Sequence, residues 1–417
     1  MMSKRRQSAG ASNPKVLAIV MAGGEGTRLN PLTADRSKPG VPFASRFRIV
    51  DFVISNLVNS GIHSIYLLVQ YKSQSLIEHI NRAWTLSHII PGQFITVVPP
   101  QMRDGPEWFQ GTADAVFQNR NLIRQQRPAL VAVFGADHIY RMDVRQMISF
   151  HLQQRAQVSV ATLPVPIGEA HGFGIIIADA DGRVIDFREK PPNPLPMPGR
   201  PDYAYASIGN YLFDTDLLLA ALDDAKRRGE SDFGRHLLPR LIGECRVCAY
   251  DFSGNEVPGL RDYEEHAYWR DVGTIESYYA ANMDTLGRES RFSLFNPYWP
   301  ITSSNYQGPS LRVIAGQIEN ASLGAGTVVM GGSIRNSIIR REVTIEPDVE
   351  IEDCIVMDYV AIRQGARLRR VIVDRHNEIA AGERIGHDAQ ADRQRFHVSD
   401  SGIVVLPKRA ANLKNYL

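Results

Sequence analysis

The chain has 417 residues, of which 44% are hydrophobic and 22% are charged, and its formal net charge is +2 at pH 7. This composition is typical of a globular protein with two or three domains, and it excludes a disordered or collagen-like chain. A nearly neutral chain has no strong nonspecific attraction for nucleic acid, and no apolar run approaches the roughly 20 residues that cross a bilayer. We therefore expect a protein that binds neither nucleic acid nor membrane. The three cysteines are too few for a disulfide framework, so we also expect a cytoplasmic location.

The first part of the chain alternates strand and helix patterns. We interpret residues 1–14, which are basic and rich in small polar residues, as a flexible arm before a domain that spans 15–288. The predicted strands are Val16–Met21, Ile65–Val69, Ile95–Val98, Leu130–Phe134 and Val158–Leu163. The predicted helices are Asp51–Ser60, Ser73–Arg82, Thr112–Gln126 with Thr112 as its cap, and Asp143–Arg155. Such alternation predicts a mainly parallel sheet with helices on both faces, and ligands usually bind where the carboxyl ends of its strands meet.

Two cysteines lie close together later in this domain. Cys245 and Cys248 stand in or beside the segment Arg246–Phe252, which alternates like a strand. The sequence holds no second pair to complete a zinc site, and no helix pattern follows as it does in a redox motif. We therefore predict a structural role for both cysteines.

The pattern changes near Ser310, where small apolar residues begin to recur every six positions. Examples are Val343 and Val349, Ile345 and Ile351, and Ile379 and Ile385. This period predicts a parallel β-helix with three short strands per coil and about four coils up to Gly386, and a β-sandwich is the weaker alternative. We assign the β-helix and a C-terminal extension to 310–417. We assign 289–309, where Asn296-Pro297 and Trp299-Pro300 interrupt regular structure, to a linker.

A glycine-rich segment, Ala22–Thr33, directly follows the first predicted strand. Its closely spaced glycines are Gly23, Gly24 and Gly26. Such glycines let backbone N–H groups approach an anion closely, as in a phosphate-binding nest. The segment is not a Walker loop, since no Gly-Lys-Ser/Thr follows, nor a dinucleotide fingerprint, since Leu29 replaces the third glycine. Arg28 and Lys38 supply positive charge for the phosphates in nucleotidyl transfer, and the alternative is a tight turn with surface basic residues.

Acidic residues follow other predicted strands. Asp137 comes just after the buried strand Leu130–Phe134 and is the first candidate ligand for Mg²⁺, which takes one or two carboxylates together with phosphate oxygens. Asp271 is the second candidate, and the alternative for each is a turn or helix cap. We expect His138 to be a structural neighbour. Further along, Glu189-Lys190 suits sugar hydroxyls and a sugar phosphate, although a solvated charge pair is the commoner explanation.

In combination these motifs resemble the sugar-nucleotide pyrophosphorylase family, from Val16 to about Lys408. Further matching segments are 36–43, 47–52, 108–115, 207–211 and 268–274. The resemblance implies an α/β fold, with a mainly parallel Rossmann-like nucleotidyltransferase sheet followed by a left-handed parallel β-helix of hexapeptide repeats. It also implies a Mg²⁺-dependent reaction in which glucose 1-phosphate attacks the α-phosphorus of ATP in line. The products are ADP-glucose for glycogen synthesis and pyrophosphate.

The resemblance also assigns residues. Those expected in catalysis are Arg28, Lys38 and Asp137, with Mg²⁺ on Asp137 and Asp271. Those expected to bind ATP are Gly23, Gly24, Gly26, Thr27, Gln101 and Gly111. Those expected to bind glucose 1-phosphate are Gly174, Glu189, Lys190, Ser207 and Asp271. The enzymes of this family are typically homotetramers under metabolite control, and Arg36, Arg48, Arg375 and Lys408 match basic positions that bind the effector.

The sequence departs from that of relatives at a few positions, and it leaves alternative functions open. Phe109 and Gln110 replace a Tyr and an Arg that relatives often carry, and Asp35 replaces an activator-binding Lys of enteric relatives. One alternative keeps the chemistry but uses UTP, dTTP or GTP. Another gives the β-helix an acyltransferase site at His376. A third is a non-catalytic regulatory subunit, which ranks low because the expected catalytic residues are all present.

Overall fold

The computed structural model describes residues 14–86, 90–103 and 105–410, so the predicted arm over 1–14 lies almost entirely outside the described residues. In the first domain the strands are Val16–Ala22, Pro42–Phe43, Phe47–Arg48, Ser64–Val69, Phe94–Val98, Leu130–Gly135, His138–Tyr140, Val158–Pro166, Gly174–Ala178, Val184–Glu189, Tyr203–Asp214, Val247–Asp251 and Trp269–Asp271. The helices are Val50–Asn59, Gln74–Ala83, Thr112–Gln118, Arg120–Gln126, Val144–Gln153, Thr215–Arg228, Leu238–Glu244 and Ile275–Met283. Short 3-10 helices cover Thr27–Leu29, Lys38–Gly40, Ile167–Gly172 and Phe252–Gly254, and a π-helical turn covers Phe233–Leu237. Among the described residues, no helix has the length and apolar character to cross a membrane.

The strand Val16–Ala22 lies in the middle of the main sheet, because its apolar residues bury both of its faces. Leu17 and Ile19 belong to one hydrophobic cluster, and Ala18 and Val20 belong to the cluster on the other face. Side chains alternate across a strand, so a continuous apolar run is what a doubly covered strand requires.

The main sheet is mixed. Val16–Ala22 pairs in parallel with Ser64–Val69 and with Leu130–Gly135, and Phe94–Val98 adds in parallel beyond Ser64–Val69. These strands confirm the predicted parallel part of the sheet. On the other side the long strand Tyr203–Asp214, which the sequence pattern did not assign, runs antiparallel to Leu130–Gly135.

The helix predicted over Thr112–Gln126 is divided in the structure. It breaks at Asn119, whose side chain donates to the carbonyl of Ala115 at 2.9 Å. The prediction that Thr112 caps this helix is wrong, because Gly111 takes the cap position. The Thr112 hydroxyl instead donates to Asp232 and accepts from the backbone N–H of Phe233. A tertiary contact therefore uses the group that a local cap would have used.

The carboxyl-terminal part forms stacked coils of parallel strands. The strands are Arg312–Val313, Gln317–Leu323, Val328–Val329, Ser333–Ile339, Thr344–Ile345, Glu350–Glu352, Ile355–Val356, Ala361–Ile362, Arg367–Arg369, Val371–Val373, Glu378–Ile379, Arg384–Ile385, His397–Val398 and Val404–Leu406, with a helix at Ala389–Arg395. Ile334, Ile351, Leu368 and Ile385 lie opposite one another in successive coils and are buried. This stacking confirms the predicted parallel β-helix, and its handedness stays a prediction.

The two parts of the chain share a hydrophobic cluster. Phe43, Phe52 and Tyr278 of the first domain pack in one cluster with Ile355 and Ile372 of the β-helix. Such a common core stabilises one arrangement of the two parts, because separating them would expose apolar surface to water.

The segment predicted as a linker packs closely against the first domain. Trp299 is buried and donates to the Asn56 side chain at 3.3 Å. Ser303 donates to the carboxylate of Asp51 at 2.7 Å. Residues 289–309 are therefore held in place by polar contacts as well as by packing.

Candidate active site

The glycine-rich loop begins where the strand Val16–Ala22 ends. Gly26 has a φ angle of 67°, which lies in the left-handed region that glycine adopts readily. A Cβ atom at this position would lie 3.0 Å from the Lys38 Cβ and 3.2 Å from the Thr33 Cγ2. The Thr33 hydroxyl also donates to the Gly26 carbonyl at 2.9 Å. Glycine at position 26 therefore lets the loop pack directly against Lys38.

Two carboxylates meet beside the carboxyl end of the strand Leu130–Gly135, although they are far apart in sequence. Asp137 follows the strand Leu130–Gly135. Asp271 ends the strand Trp269–Asp271, which runs antiparallel to His138–Tyr140 and places Asp271 opposite His138. The Lys38 Nζ lies between the two carboxylates, 3.0 Å from the Asp137 Oδ2 and 2.8 Å from the Asp271 Oδ1. One buried ammonium thus pairs with both acids.

This pairing shifts the ionisation of both partners. Burial by itself would raise the pKa of Asp137, but the electrostatic interactions with His138 and Lys38 outweigh it and hold that pKa well below its usual value. Burial would also lower the pKa of Lys38, but Asp137 and Asp271 outweigh it and raise that pKa above its usual value. Both shifts favour the charged forms, so Asp137 is an anion and Lys38 a cation at neutral pH.

The same carboxylates form a suitable set of metal ligands. Among the residues that the structure describes, one group of three has ligand atoms that all lie within 4.8 Å of one another, namely Asp137, His138 and Asp271. Carboxylate oxygens are the ligands that Mg²⁺ prefers, and the cationic side chain of Lys38 already lies between these two carboxylates. The donor set therefore fits a divalent cation.

A cavity of about 660 Å³ opens in front of these groups. It is lined by the glycine loop, the carboxylate Asp137 and segments from several strand ends. The lining includes Gly23, Gly24, Gly26, Thr27, Arg28, Lys38, Gln70, Gly111, Asp137, Glu189, Tyr211 and Asp232. This volume falls within the range of about 300–1,000 Å³ that is typical of small-ligand sites.

Other residues expected at the site, namely Asp271, Lys190 and Ser207, are not among those that line the cavity. Asp271 contacts the Lys38 ammonium and lies 3.9 Å from the Arg28 guanidinium. Lys190 lies 3.8 Å from the Glu189 carboxylate and has a φ angle of 47°, a left-handed conformation that is uncommon for lysine. Ser207 lies on the strand Tyr203–Asp214 beside the irregularity that precedes Tyr211.

Gln101 does not lie with the other expected residues. It lines a separate cavity of about 380 Å³ beside Phe94 and Val98, and its side chain donates to the Pro99 carbonyl at 2.9 Å. Its assignment to ATP stays a prediction.

Comparison with known proteins adds the family. A family model described as nucleotidyl transferase matches residues 17–288, and a model described as GlmU-like, C-terminal hexapeptide matches residues 311–406. A glucose-1-phosphate adenylyltransferase from Thermodesulfovibrio yellowstonii is 56% identical over 95% of this chain and 97% of its own length. The chain belongs to the glucose-1-phosphate adenylyltransferase family. Relatives with that same name come from an Anaeromyxobacter species, at 46% identity over 94% of this chain and 98% of the relative, and from Thermus thermophilus, at 43% identity with the same coverage.

Two glycines of this adenylyltransferase chain are required by packing. A Cβ at Gly111 would lie 2.5 Å from the backbone oxygen of Ser231. A Cβ at Gly174 would lie 2.6 Å from the Phe187 ring and 3.0 Å from the Glu189 carboxylate. Each glycine therefore lets a neighbouring segment approach the cavity, whether or not it touches substrate.

Gln70 is a cavity residue that sequence reasoning missed. Its side chain accepts from the Phe109 N–H at 2.8 Å and donates to the Phe109 carbonyl at 3.3 Å. It directly follows the parallel strand Ser64–Val69, and this position was the signal that could have found it. Both hydrogen bonds use the backbone of Phe109, so they do not depend on the side chain at position 109, where relatives often carry a Tyr.

Asp232 is a second missed residue. Its carboxylate accepts from the Thr112 hydroxyl at 3.0 Å and from the Arg235 N–H at 2.9 Å. A Cβ at Gly234 would lie 3.2 Å from the Glu189 carboxylate and 3.5 Å from that of Asp232, so two acids face one part of the cavity. No local sequence pattern predicts a role for Asp232. It lies in the loop between the helix Thr215–Arg228 and the turn Phe233–Leu237, and only the tertiary fold brings this loop to the cavity.

The basic residues expected to bind an effector lie at the boundary with the β-helix. Arg36 is buried and pairs with Asp374, which follows a β-helix strand. Burial lowers the pKa of Arg375, and the nearby charge of Arg36 lowers it further. Lys408 lies 3.6 Å from Asp35.

Arg48 belongs to the same boundary. Burial, followed by the charge of Arg375, lowers the pKa of Arg48 to about 9. Its guanidinium donates to the Ser75 carbonyl at 2.7 Å. The structure thus places these basic residues in one region, and Asp35 and Asp374 partly neutralise it.

Proposed function

We propose that this protein transfers the adenylyl group of ATP to glucose 1-phosphate and releases ADP-glucose and pyrophosphate. The observation that carries this proposal is the cavity lined by the glycine loop, Lys38 and Asp137, where the Lys38 ammonium also pairs with Asp271. Relatives named for this activity match along almost the whole chain, which favours ATP over UTP, dTTP or GTP.

The reaction needs no covalent enzyme intermediate. A phosphate oxygen of glucose 1-phosphate forms a bond to the α-phosphorus of ATP, and the bond from that phosphorus to the pyrophosphate oxygen breaks. The N–H groups of the glycine loop suit the triphosphate, since successive backbone N–H groups bind anions. Arg28 and Lys38 would stabilise the negative charge that grows on the leaving pyrophosphate. Catalysis is then mainly alignment and charge stabilisation.

Nucleotidyltransferases generally use a divalent metal ion, and we infer that the ion here is Mg²⁺. Asp137 and Asp271 would hold it, because their carboxylate oxygens lie close together. When bound, Mg²⁺ supplies positive charge beside the phosphate oxygens. The anionic state of Asp137 keeps it ready to bind a cation.

The remaining expected residues divide between the two substrates. Lys190 suits the sugar phosphate, while Glu189 and Ser207 suit the sugar hydroxyls, with Gly174 packed behind Glu189. Gly111 lines the cavity, and we keep it as a proposed neighbour of the adenine. Gln101 keeps the same proposed role, although it lines a separate cavity. Asp232 is a further acceptor for a sugar hydroxyl.

Regulation and assembly are also proposals. We infer that a small anionic metabolite binds near Arg36, Arg48, Arg375 and Lys408, through the partly exposed Arg48, Arg375 and Lys408 and not through the buried Arg36. We also infer that the protein is a cytoplasmic homotetramer. The described cysteines are all free thiols, which is consistent with a reducing compartment. We place the division between the catalytic domain and the β-helix domain within residues 289–309.

The test is pyrophosphate release from ATP, UTP, dTTP and GTP, each paired with several sugar 1-phosphates and Mg²⁺. We expect the highest kcat/KM with ATP and glucose 1-phosphate. Faster turnover with another nucleotide would replace the proposed substrate while keeping the reaction type. No release with any pair would contradict the proposal as a whole.

A further inference from the structure

The position of Lys38 suggests a second role beyond phosphate binding. Its Nζ lies 3.0 Å from one carboxylate and 2.8 Å from the other, and its side chain is only 7% exposed. These are the same carboxylates, those of Asp137 and Asp271, that have the spacing of a metal site. An ammonium and a divalent cation cannot both lie between them at these distances, because the two positive charges would repel each other strongly.

We propose that Lys38 is the resident cation of this metal site in the free protein, and that its ammonium leaves both carboxylates when a divalent cation binds. This inference rests on the proposed function, which assigns the metal to Asp137 and Asp271. A metal ion thus exchanges with the Lys38 ammonium at the two carboxylates. The free protein binds metal weakly, and the ammonium moves toward the phosphates when metal and nucleotide bind together.

The exchange needs a fixed backbone and a mobile side chain, and both are present. Lys38 begins the short helix Lys38–Gly40, and Pro39 restricts the backbone at the next position. Two residues earlier, buried Arg36 is tied to Asp374 of the β-helix. The lysine stem, by contrast, is a flexible four-carbon chain that carries a compact charge. Only the side chain has to move.

The cavity offers the released ammonium a new partner. The Lys38 Cβ lies 3.0 Å from where a Cβ of Gly26 would stand, so its stem runs beside the glycine loop. Phosphates bound by that loop would attract the ammonium as it leaves the carboxylates. Arg28 does not duplicate this role, since it lies 3.9 Å from Asp271 and its side chain is 68% exposed.

The experiment is a titration of the complete protein with Mn²⁺ in the absence of nucleotide, with free Mn²⁺ measured by electron paramagnetic resonance. The variant Lys38→Met removes the resident cation, and we expect it to bind Mn²⁺ about tenfold more tightly than the wild type. The matched control is Lys72→Met, which removes a lysine that contacts only the Thr33 carbonyl among the contacts described, and it should bind as the wild type does. Equal Mn²⁺ affinity in folded Lys38→Met and wild type would overturn the exchange.

A second measurement uses the wild type, in case Lys38→Met does not fold. Lysines are modified with an amine reagent and Lys38 labelling is measured by peptide mass spectrometry, with and without saturating Mn²⁺. We expect Mn²⁺ to increase Lys38 labelling at least severalfold, because the ammonium moves out to solvent. Unchanged labelling at saturation would contradict the proposal.

The variant Asp137→Asn separates this inference from the proposed function. If it leaves Mn²⁺ binding unchanged in the presence of a non-hydrolysable ATP analogue, then the metal site itself is misplaced. If Asp137→Asn abolishes that binding but Lys38→Met binds no more tightly than the wild type, then the metal site stands and only the exchange is wrong.

Discussion

Two groups of ion pairs in this protein differ in their contact with solvent. At the cavity Lys38 pairs with Asp137 and Asp271, whose side chains are 40% and 29% exposed. At the boundary with the β-helix Arg36 pairs with Asp374, and both side chains are almost completely buried. Water reaches the anions of the first group, so these are the pairs that we propose to exchange partners with a ligand. The second is sealed, so it holds the two parts of the chain together.

Arg340 forms another buried ion pair at the boundary with the β-helix, with Asp358. Its guanidinium donates to Asp358 at 2.9 Å and to the carbonyls of Phe43, Ala44 and Phe47 at 3.0, 2.6 and 3.1 Å. A β-helix side chain thus satisfies backbone acceptors of the hairpin that follows Lys38 in sequence. Changes at the cavity should therefore affect catalysis, and changes at these buried boundary pairs should affect folding.

The largest effect is expected at Asp137. The variant Asp137→Asn removes one of the two charges proposed to hold the metal, so turnover should fall by roughly a hundredfold or more. Pyrophosphate release measures this loss, and thermal unfolding checks that the variant is folded. The control is Asp223→Asn, which removes an exposed partner of Arg124 and should keep normal turnover. Near-normal turnover of Asp137→Asn would show that this carboxylate is not essential.

Arg340→Met should have the largest effect on stability. It leaves Asp358 buried without this partner, so the free energy of unfolding should fall by about 3–5 kcal/mol. Urea denaturation measures this change. The matched control is Arg335→Met, in another β-helix arginine whose pair with Glu352 is largely exposed, and there we expect about 1 kcal/mol or less. Similar losses in both variants would remove the distinction between sealed and exposed pairs.

Asp51 gives a pH-dependent test of a buried anion. Burial by itself would raise its pKa, but His79 and several hydrogen bonds outweigh burial and hold the pKa below the usual value. Trp84 donates to this carboxylate at 2.8 Å and Ser303 at 2.7 Å. Asp51→Asn should lower the free energy of unfolding by about 2 kcal/mol at pH 7.

The sign of the pH effect follows from the direction of that shift. Because the folded pKa lies below the unfolded value of about 4, the charged Asp51 stabilises the fold above pH 4, and this contribution is lost as the pH falls through the folded pKa. Urea denaturation at decreasing pH should therefore show the wild type approaching Asp51→Asn. A constant difference down to the lowest pH at which the fold persists would contradict this expectation.

The smallest effect is expected at Asp35. Its carboxylate lies near Lys408 at the proposed effector site, where we expect it to weaken the attraction for a bisphosphate. Asp35→Asn should increase activation by fructose 1,6-bisphosphate a few-fold, in a synthesis assay with a panel of sugar phosphates and pyruvate. The wild type should prefer another activator. Strongest activation of the wild type by fructose 1,6-bisphosphate would contradict the proposed role of Asp35.

Local sequence determined the elements that depend on local chemistry. The apolar run at Val16–Met21 predicted a strand buried on both faces, and the six-residue spacing from Val343 to Val349 and from Ile345 to Ile351 predicted the β-helix. The glycine-rich loop and Asp137 each follow a predicted strand, which predicted that both lie at one edge of the sheet. These features follow from side-chain alternation and backbone freedom, which act between near neighbours in the chain.

Only the tertiary structure decided which distant groups meet. The pairing of Lys38 with Asp271, the arrival of Asp232 beside Glu189, and the break of the helix at Asn119 involve contacts that no short-range pattern encodes. The antiparallel strand Tyr203–Asp214 belongs to the same class, because its place depends on Leu130–Gly135. Burial and electrostatic pairing act through space, so they are settled only when the chain has folded.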